Sequence, residues 1–527
     1  MQLHGYNIIA GKPSPEGKHT FAATSPLTDS SMEPSFHEAG EAQVDQSLRH
    51  ADDAFEIYRR LIPENRAKFL DAIAEEIMAL GDDLLQRANL ETGLPLDRLT
   101  GERGRTCGQL KAFAALLREG SWVDARIDHA LPDRQPLPRP DLRRMLVPIG
   151  PVVVMGASNF PLAFSTAGGD TASALAAGCP VVVKAHGSHP GTAELIGTAI
   201  VRAIEKCGVP HGVFSQLYGP GAVVAQALVR HPLAKGLGFT GSERAGRALF
   251  DAAAARQEPI PVFAEMGSLN PVFLLPSALH ERAGQIAAGL KTSMTMGVGQ
   301  FCTKPGLVFA LGGPEFDAFA REFRAQLATA ACGTMLNRGI CDAYYAGVDR
   351  VKKIPGVVVL GEADADADEG KTQGEPVAFV TDVDTFLLHH ELREEVFGPY
   401  TLLVAARSVT ELEAAARSLA GSLTATFQAT PEDMEAFADL CSIVERRVGR
   451  VVVNGFPTGV EVAPTMQHGG PYPASTDARF TSVGTAAILR WVRPVCWQGY
   501  PQHLLPEELW DANPRKILRT VDGQLTR

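Results

Sequence analysis

The chain has 527 residues, 45% of them hydrophobic and 21% charged, which is enough for two or three packed domains. Its net charge of −11, without a basic stripe or arm, argues against nucleic acid and anionic membranes as partners. The eight cysteines are scattered, with no CxxC pair and no Cys/His cluster at zinc-ligand spacing, so we expect neither a metal site nor a disulfide framework. No leader pattern and no long apolar span is evident, and we expect a protein of the reducing cytoplasm.

The first part of the chain predicts edge strands followed by helices. Residues 1–40 are polar and rich in Pro, Gly and Ser, which favours short edge strands or a surface wrap. From 43 to 92 apolar residues recur every three to four positions, as in amphipathic helices, and another such helix fits 98–118. The Pro-rich segment 131–140 predicts a link into a strand at 141–148, which the apolar C-terminal stretch could pair with, in this chain or a neighbouring subunit.

The middle of the chain alternates short apolar strands with helices. The predicted strands are 151–156, 179–185, 212–219, 237–242 and 261–267, and the predicted helices are 157–178, 190–207 and 222–230. Strands with no polar face, spaced by helices, are typical of a parallel sheet covered on both sides. Ligands of such sheets bind at the carboxyl ends of the strands.

The alternation restarts after 266 and predicts a second α/β domain that extends to about 470. A strand at 270–276 is followed by a predicted helix at 278–297. Within this domain the acidic segment 361–375 has few hydrophobic residues and predicts an exposed loop.

Cys302, in GVGQFCTKPG, is the strongest candidate for a catalytic residue. It follows Glu265, in FAEMGSLNP, by 37 residues. A cysteine attacks carbonyls as the thiolate and needs a base or a cation to form it, and a carboxylate at an apolar strand end can be that base. The alternative for a single cysteine is a small buried hydrophobe, which we accept for the other seven.

Further polar residues follow the predicted strands. Asn159 comes after strand 151–156, where its amide could stabilise an oxyanion or simply form a turn. Lys184 ends strand 179–185 and could bind ribose or phosphate, or extend into solvent. Gly241 and Ser242 lie at a helix start that suits a pyrophosphate, although Ser242 could equally be a helix cap.

Glu395 and Phe397, in EVFGPY, form the last of these candidate pairs. A carboxylate can hold ribose hydroxyls and a phenyl ring can lie against a nicotinamide, while the alternative is an ordinary strand-end turn.

Together these runs resemble the aldehyde dehydrogenase superfamily over nearly the whole chain. In chain order they are SNFP, PVVVKA, FTGS, EMGSLNP, GQFCTKPG, EVFGP and VNGFPTG. The resemblance implies an α/β fold with a Rossmann-like parallel-sheet cofactor domain, an α/β catalytic domain and a small β oligomerisation element. It implies a dinucleotide-binding domain (1–130 and 149–265), a catalytic domain (266–470), an oligomerisation element (131–148 and 485–527) and a homodimer or homotetramer.

The same resemblance implies roles for the candidate residues. Cys302 would be the nucleophile, Glu265 the base that activates water, and Asn159 the oxyanion donor. Lys184, Gly241, Ser242, Glu395 and Phe397 would contact NAD or NADP. The implied reaction oxidises an aldehyde to a carboxylic acid through a cysteine thiohemiacetal and a thioester.

One position departs from the pattern of NAD-using relatives. They carry a Glu three residues after the lysine, where it hydrogen-bonds the adenosine ribose, and this chain has Gly187 there. Losing that carboxylate removes repulsion against a 2′-phosphate, so we expect NADP to be favoured. His186 and Ser188 could add hydrogen bonds to the phosphate, and no arginine for it stands out.

Three segments resemble the 2,5-dioxovalerate (α-ketoglutaric semialdehyde) dehydrogenase branch: KAHGSHPGT, GERGRT and QHGGPYPAST. The substrate implied is 2,5-dioxopentanoate. Phe160 and His468 are candidate substrate contacts, and Arg103 or Arg105 is a candidate for its carboxylate. His468 could instead tune the thiol of Cys302, and a turn histidine is an equal interpretation.

Other enzyme classes stay open at this point. A fatty aldehyde dehydrogenase using NADP has similar motifs. A Glu-Lys-Cys amidase would use Glu265, Lys184 and Cys302 without a cofactor, although the FTGS and EVFGP runs would then have no purpose. Release of the thioester by coenzyme A is also conceivable, but a base at Glu265 favours water.

Overall fold

The computed structural model describes residues 2–17, 19–368 and 371–527. Within these ranges two seven-stranded sheets, each with helices on both faces, form most of the molecule, and a five-stranded sheet contains the C-terminal strands. This is the expected α/β fold. No helix in the described part of the chain is both long and apolar enough to cross a bilayer.

The N-terminal part begins with short strands and continues with four helices. β1 and β2 extend one edge of the first sheet, and β3 and β4 form a separate hairpin, which confirms the predicted edge strands. The helical region predicted over 43–92 forms three helices. The last two are separated at Gly81, where the chain turns with a φ of +59°. The elements are β1 (Asn7–Ile9), β2 (Lys12–Ser14), β3 (Thr20–Ser25), β4 (Ser30–His37), α1 (Glu41–Tyr58), α2 (Pro63–Ala79), α3 (Gly81–Thr92), α4 (Leu96–Glu119), β5 (Arg126–Asp128) and β6 (Leu142–Pro148).

The first sheet has the order β11-β10-β7-β8-β9-β1-β2, in which the five strands from β11 to β9 are parallel and β1 and β2 are antiparallel to their neighbours. Val152 and Val154 face a core with α2, α4, α5 and α6, whereas Val153 and Met155 face one with α1, α7 and α8. Burial on both faces explains why these strands lack polar alternation. The elements are β7 (Val152–Met155), α5 (Gly169–Ala177), β8 (Val181–Lys184), α6 (Pro190–Cys207), β9 (Phe214–Leu217), α7 (Gln226–Arg230), β10 (Gly236–Thr240), α8 (Glu243–Ala254) and β11 (Val262–Glu265).

One predicted helix of this region is wrong over its first half. The helix expected at 157–178 begins only at Gly169, and the preceding residues form a compact loop. Pro161 disfavours helical backbone at Phe160, and the loop satisfies its N–H groups elsewhere: Leu162 and Ala163 donate to the carboxylate of Glu102 at 2.8 and 3.0 Å.

The second sheet has the order β15-β17-β18-β13-β12-β19-β20, parallel except for β15 at one edge. Part of the predicted acidic loop 361–375 is exposed, and residues 369–370 lie outside the described ranges. The elements are β12 (Val272–Leu274), α9 (Pro276–Thr295), β13 (Leu307–Leu311), α10 (Pro314–Ala328), β14 (Gly333–Thr334), α11 (Arg338–Lys352), β15 (Val358–Glu362), β16 (Gln373–Gly374), β17 (Val377–Asp382), α12 (Val383–Leu388), β18 (Tyr400–Ala406), α13 (Val409–Ser418), β19 (Ser422–Gln428), α14 (Pro431–Ala436), α15 (Ala438–Glu445) and β20 (Val448–Val453).

The C-terminal strands return to the start of the chain. β21 (Val492–Gln498) pairs antiparallel with β6 along its whole length, which confirms the pairing expected within one chain. β22 (Arg519–Val521) and β23 (Gln524–Thr526) complete the sheet β21-β6-β5-β22-β23. Trp491, just before β21, is fully buried against Phe263 of the first sheet.

Candidate active site

Cys302 lies on the wall of a cavity of about 400 Å³ between the two large sheets. The chain reaches it through a tight turn after α9, in which Gly299 has a φ of +65°. A Cβ on Gly299 would stand 2.2 Å from the carbonyl oxygen of Gly398, so only glycine fits there. Several predicted site residues line the same cavity: Asn159, Gly241, Ser242, Glu265, Glu395 and Phe397.

Glu265 ends β11 and presents its carboxylate to the cavity. The side chain is almost fully buried, and its Oε1 has no hydrogen-bond partner within the described part of the chain. Burial raises the pKa of Glu265 to about 8. A carboxyl group poised near neutrality is suited to general base catalysis.

His468 connects the two candidate catalytic groups. Its Nε2 lies 3.4 Å from Sγ of Cys302 and 3.3 Å from Oε2 of Glu265. Burial, with the positive charges of Arg450 and Arg105, lowers the pKa of His468 to about 3, so the imidazole is neutral. One ring nitrogen can either donate or accept, and this position therefore allows a proton to pass between the thiol and the carboxylate.

The thiol of Cys302 is protonated in this arrangement. Burial raises its pKa to about 12, the negative charges of Glu265 and Glu395 act in the same direction, and Arg105 opposes them. Nucleophilic attack consequently requires a neighbouring group that accepts the thiol proton.

Asn159 is held by hydrogen bonds at both its side chain and its backbone. Its Nδ2 donates to the carbonyl of Gln300 at 2.9 Å, and its own carbonyl accepts from Nη2 of Arg98 at 2.6 Å. An amide nitrogen carries two N–H groups, so one stays available for an oxyanion at Cys302.

A cluster of aromatic rings and guanidinium groups surrounds one side of Cys302. Phe160 contacts Phe301 edge to face at 5.3 Å, and the guanidinium of Arg98 lies 4.8 Å from the centre of the Phe301 ring. Arg105 lies over Phe164 at 5.5 Å. Phe160 thus packs within this cluster, and its contact with substrate stays a prediction.

Arg98, Glu102 and Arg105 follow helical spacing along one face of α4, and this pattern could have identified Arg98 from the sequence. Arg103, the other predicted substrate contact, is not part of this cluster. Two residues along a helix from Arg105, it faces elsewhere and donates to the carbonyl of Gly81 at 2.7 Å. Nothing in the local sequence marked Arg450, which lies on β20.

A second cavity of about 540 Å³ leads away from the first and shares His186, Gly241 and Ser242 with it. Lys184 lines this cavity, and burial lowers its pKa to about 8. Ser242 caps α8 by accepting from the N–H of Ala245 at 3.4 Å. A long cleft with a lysine and a helix N-terminus fits a dinucleotide with its pyrophosphate.

Glu395 lies between the cavity and a buried lysine that the sequence analysis did not single out. Lys304, two residues after Cys302, donates to the carbonyls of Val396 and Tyr400 at 3.0 Å each. Burial raises the pKa of Glu395 to about 7, and the charge of Lys304 opposes that rise. Lys304 therefore ties the cysteine loop to the segment that carries Glu395 and Phe397.

The chain is similar to several known proteins. The family model "Aldehyde dehydrogenase family" matches residues 14–482. Alpha-ketoglutaric semialdehyde dehydrogenase 2 of Azospirillum brasilense is 49% identical over 525 residues, covering 99% of this chain and 100% of that protein. Alpha-ketoglutaric semialdehyde dehydrogenase of Acinetobacter baylyi is 48% identical over 493 residues, 93% of each chain.

The fold is also that of a solved structure. A mutant of aldehyde dehydrogenase C from Pseudomonas syringae, in complex with NAD+ and octanal, superposes with a TM-score of 0.79 at 22% identity and covers 94% of this chain and 97% of its own.

Proposed function

Since this chain belongs to the aldehyde dehydrogenase family, we propose that it oxidises 2,5-dioxopentanoate to 2-oxoglutarate with a nicotinamide dinucleotide. The observation that carries the proposal is the contact series Cys302–His468–Glu265, whose first and last members line one cavity. The substrate is supported by two relatives, nearly half identical over almost their full length, whose names specify α-ketoglutaric semialdehyde, the same compound.

The first step is the addition of Cys302 to the aldehyde carbon. Glu265, whose pKa of about 8 makes it a far stronger base than the imidazole with its pKa of about 3, is the final acceptor of the thiol proton, which passes by way of Nε2 of His468. The oxyanion that forms is stabilised by Nδ2 of Asn159 and the backbone N–H of Cys302. Loss of one such donor costs on the order of 3 kcal/mol of barrier.

Lys184, Ser242 and Glu395 would hold the dinucleotide in the cleft, with Phe397 beside its ring. A nicotinamide bound there would supply a hydride acceptor for the substrate carbon, so that a thioester remains on Cys302. Once Glu265 has released the thiol proton to solvent, it removes a proton from the water that attacks the thioester. That proton returns to the leaving sulfur of Cys302, and the acid is released. Lys184 lines the cofactor cavity and not the one at Cys302, so it is poorly placed for an amidase triad.

The experiment that tests this function combines kinetics with trapping of the thioester. Wild type is assayed with 2,5-dioxopentanoate, glutarate semialdehyde and long-chain aldehydes, and the acylated peptide is identified by mass spectrometry after acid quenching. We expect 2,5-dioxopentanoate to give the highest kcat/KM, acylation at Cys302, and no detectable turnover by Cys302→Ser. A higher kcat/KM for long-chain aldehydes, or acylation elsewhere, would contradict the proposal.

NADP is the cofactor we propose to be favoured. Gly187 is exposed, and a Cβ there would meet no atom within 4 Å, so the position beside Lys184 offers room for a 2′-phosphate and no carboxylate to repel it.

Gly187→Glu tests this preference directly. We expect the ratio of kcat/KM for NADP to that for NAD to fall at least tenfold, because the new carboxylate repels the phosphate. Gly187→Ala is the uncharged control and should keep the wild-type ratio. A wild-type preference for NAD would already refute the assignment.

We also propose a homodimer or homotetramer in a reducing cytoplasm. β20 and β21 are edge strands, and Val451 and Val453 of β20 are 40% and 48% exposed, which is an apolar edge suited to a second copy. All eight cysteines are free. Light scattering after gel filtration measures the number of subunits.

A further inference from the structure

We infer that Arg105 and Arg450 form a site for the remote carboxylate of the substrate and thereby select short aldehydes that end in an acid. The inference rests on the proposed function and deepens it, because it assigns the groups that recognise the substrate's far end. These two residues come from different layers of the molecule, Arg105 from α4 and Arg450 from β20.

The two guanidinium groups converge on one loop. Nη1 of Arg105 donates to the carbonyl of Val460 at 2.8 Å, and Nη2 of Arg450 donates to the carbonyl of Pro457 at 2.7 Å. Residues 457–460 follow β20, and Nη1 of Arg450 also donates to this loop, to the carbonyl of Gly459 at 3.5 Å. A single short loop therefore fixes Nη1 of Arg105 and both terminal nitrogens of Arg450. The remaining N–H groups of both side chains are thereby held in place.

Those remaining N–H groups lack acceptors. Within the described residues, Nε and Nη2 of Arg105 and Nε of Arg450 are buried and have no hydrogen-bond partner. A buried donor on a charged group is costly to leave unpaired. An arrangement that retains three such donors is best explained by an acceptor that arrives with the substrate.

Both charges act on the reacting groups. Arg105 and Arg450 each lower the pKa of His468, and each is coupled to the thiol of Cys302. The guanidinium of Arg105 lies 5.5 Å from the centre of the Phe164 ring, and that ring lies 6.2 Å from the ring of His468, the neighbour of Cys302.

Nearby acidic side chains neutralise the charges of Arg105 and Arg450 only in part. The acidic neighbours that act on Arg105 are Glu102 and Glu461. Oε1 of Glu102 already accepts two backbone N–H groups, and burial raises its pKa, whereas Glu461 is exposed. Neither guanidinium makes an ion pair within the part of the chain described here.

A substrate carboxylate can accept hydrogen bonds from the guanidinium groups of Arg105 and Arg450, as a protein carboxylate does in an ordinary ion pair. Its two oxygens can accept from Nε and Nη2 of Arg105 and from Nε of Arg450, on guanidinium groups that stay charged at all relevant pH values. A substrate that reaches from Cys302 to these donors carries its acid at the end opposite the aldehyde. An aldehyde without an acid leaves the buried charges unpaired and binds less well.

The test measures specificity and not activity alone. We expect Arg105→Met and Arg450→Met each to lower the ratio of kcat/KM for 2,5-dioxopentanoate to that for pentanal by about a hundredfold, mainly through KM, as for a lost charged hydrogen bond. Arg103→Met is the matched control, since Arg103 lies on the same helix but bonds Gly81, and its ratio should stay within about twofold of wild type.

Wild-type protein supplies a second readout that needs no variant. Glutarate should inhibit pentanal oxidation competitively, while 1,5-pentanediol at the same concentration should not. Unchanged ratios in both folded variants, or failure of glutarate to inhibit, would overturn the arginine site. If wild type instead fails to oxidise 2,5-dioxopentanoate yet is inhibited by glutarate, the proposed substrate is wrong and the acid site stands.

Discussion

The imidazole of His468 has a single nitrogen facing two partners, the thiol of Cys302 and the carboxylate of Glu265. We expect His468→Gln to lower kcat by about a hundredfold, because a proton carrier is lost, and to slow alkylation of Cys302 by iodoacetamide. The exposed residue His503 gives the control His503→Gln, which should match wild type in both assays. Equal alkylation rates in all three proteins would rule out a role for His468 in activating the thiol.

Glu265 gives a prediction that depends on pH. Its pKa is raised to about 8 when folded, above the value of about 4.5 of the unfolded chain, so the native state binds its proton more tightly. The stability that this proton provides is present at pH 5 and is lost as the pH rises through 8. The stability of Glu265→Gln relative to wild type should therefore rise by on the order of a few kcal/mol between pH 5 and pH 9, because only the wild type loses this contribution.

The same Glu265→Gln variant should also lose at least about a hundredfold in kcat with 2,5-dioxopentanoate, because Glu265 accepts the thiol proton before addition and activates the water after it. Circular dichroism melting curves of wild type and Glu265→Gln at pH 5 and pH 9 check the predicted change in relative stability. A stability difference that does not change with pH would contradict the raised pKa.

At the scale of elements, α4 holds the loop that carries Asn159. Glu102 accepts the N–H groups of Leu162 and Ala163, while its Oε2 is buried without a partner in the described residues. Burial raises the pKa of Glu102, and a glutamine resembles the protonated acid in shape. Glu102→Gln should thus change stability by less than about 1 kcal/mol, whereas Glu102→Met should cost about 2–3 kcal/mol, since it leaves buried N–H groups unpaired.

Glu102→Met should also lower kcat, because the loop no longer positions Asn159. Urea unfolding and kcat with one aldehyde check both effects. If the glutamine and methionine variants behave alike, the two backbone hydrogen bonds do not position the loop.

The elements that the sequence predicts best are the ones that local patterns determine. Helix α6 spans the predicted residues 190–207, because its apolar stripe and its bounding Pro190 and Gly208 are local signals. The segment 157–168 was predicted as helix and is a loop, since its conformation depends on hydrogen bonds to Glu102, about 60 residues away. Distant partners of this kind leave no periodic pattern.

The candidate site likewise contains residues that local motifs identify and residues that they do not. Short motifs identified the residues that line the cavity at Cys302, such as Asn159 and Glu265, because each follows a strand or a turn with a recognisable pattern. Arg450 and Lys304 could not be found from spacing, since only the folded chain brings β20 and the cysteine loop to the same place.

At the scale of the whole molecule, the segment that precedes β21 packs against the first sheet. Trp491 donates from Nε1 to Ser173 at 2.7 Å, accepts from Ile149 at its carbonyl, and packs against Phe263 of β11, the strand that ends in Glu265. Residues at the two ends of the chain thus share one core.

A chain ending at Gly484 should therefore melt at least 10 °C below wild type or fail to fold, because about 200 Å² of buried aromatic surface and the partner of β6 are both lost. A chain ending at Asp522 lacks only β23 and is the control, with a small expected change. Differential scanning calorimetry compares the three. Similar melting temperatures for all of them would show that the C-terminal segment is dispensable for folding.

The protonated state of Cys302 has a consequence for survival under oxidative stress. Peroxide attacks thiolates far faster than thiols, and the pKa of about 12 leaves almost no thiolate in the resting protein. The sulfur of Cys302 is thus an unreactive thiol between turnovers and becomes a thiolate only when an aldehyde is bound. An enzyme built this way should tolerate bursts of hydrogen peroxide that inactivate proteins with a permanently ionised cysteine.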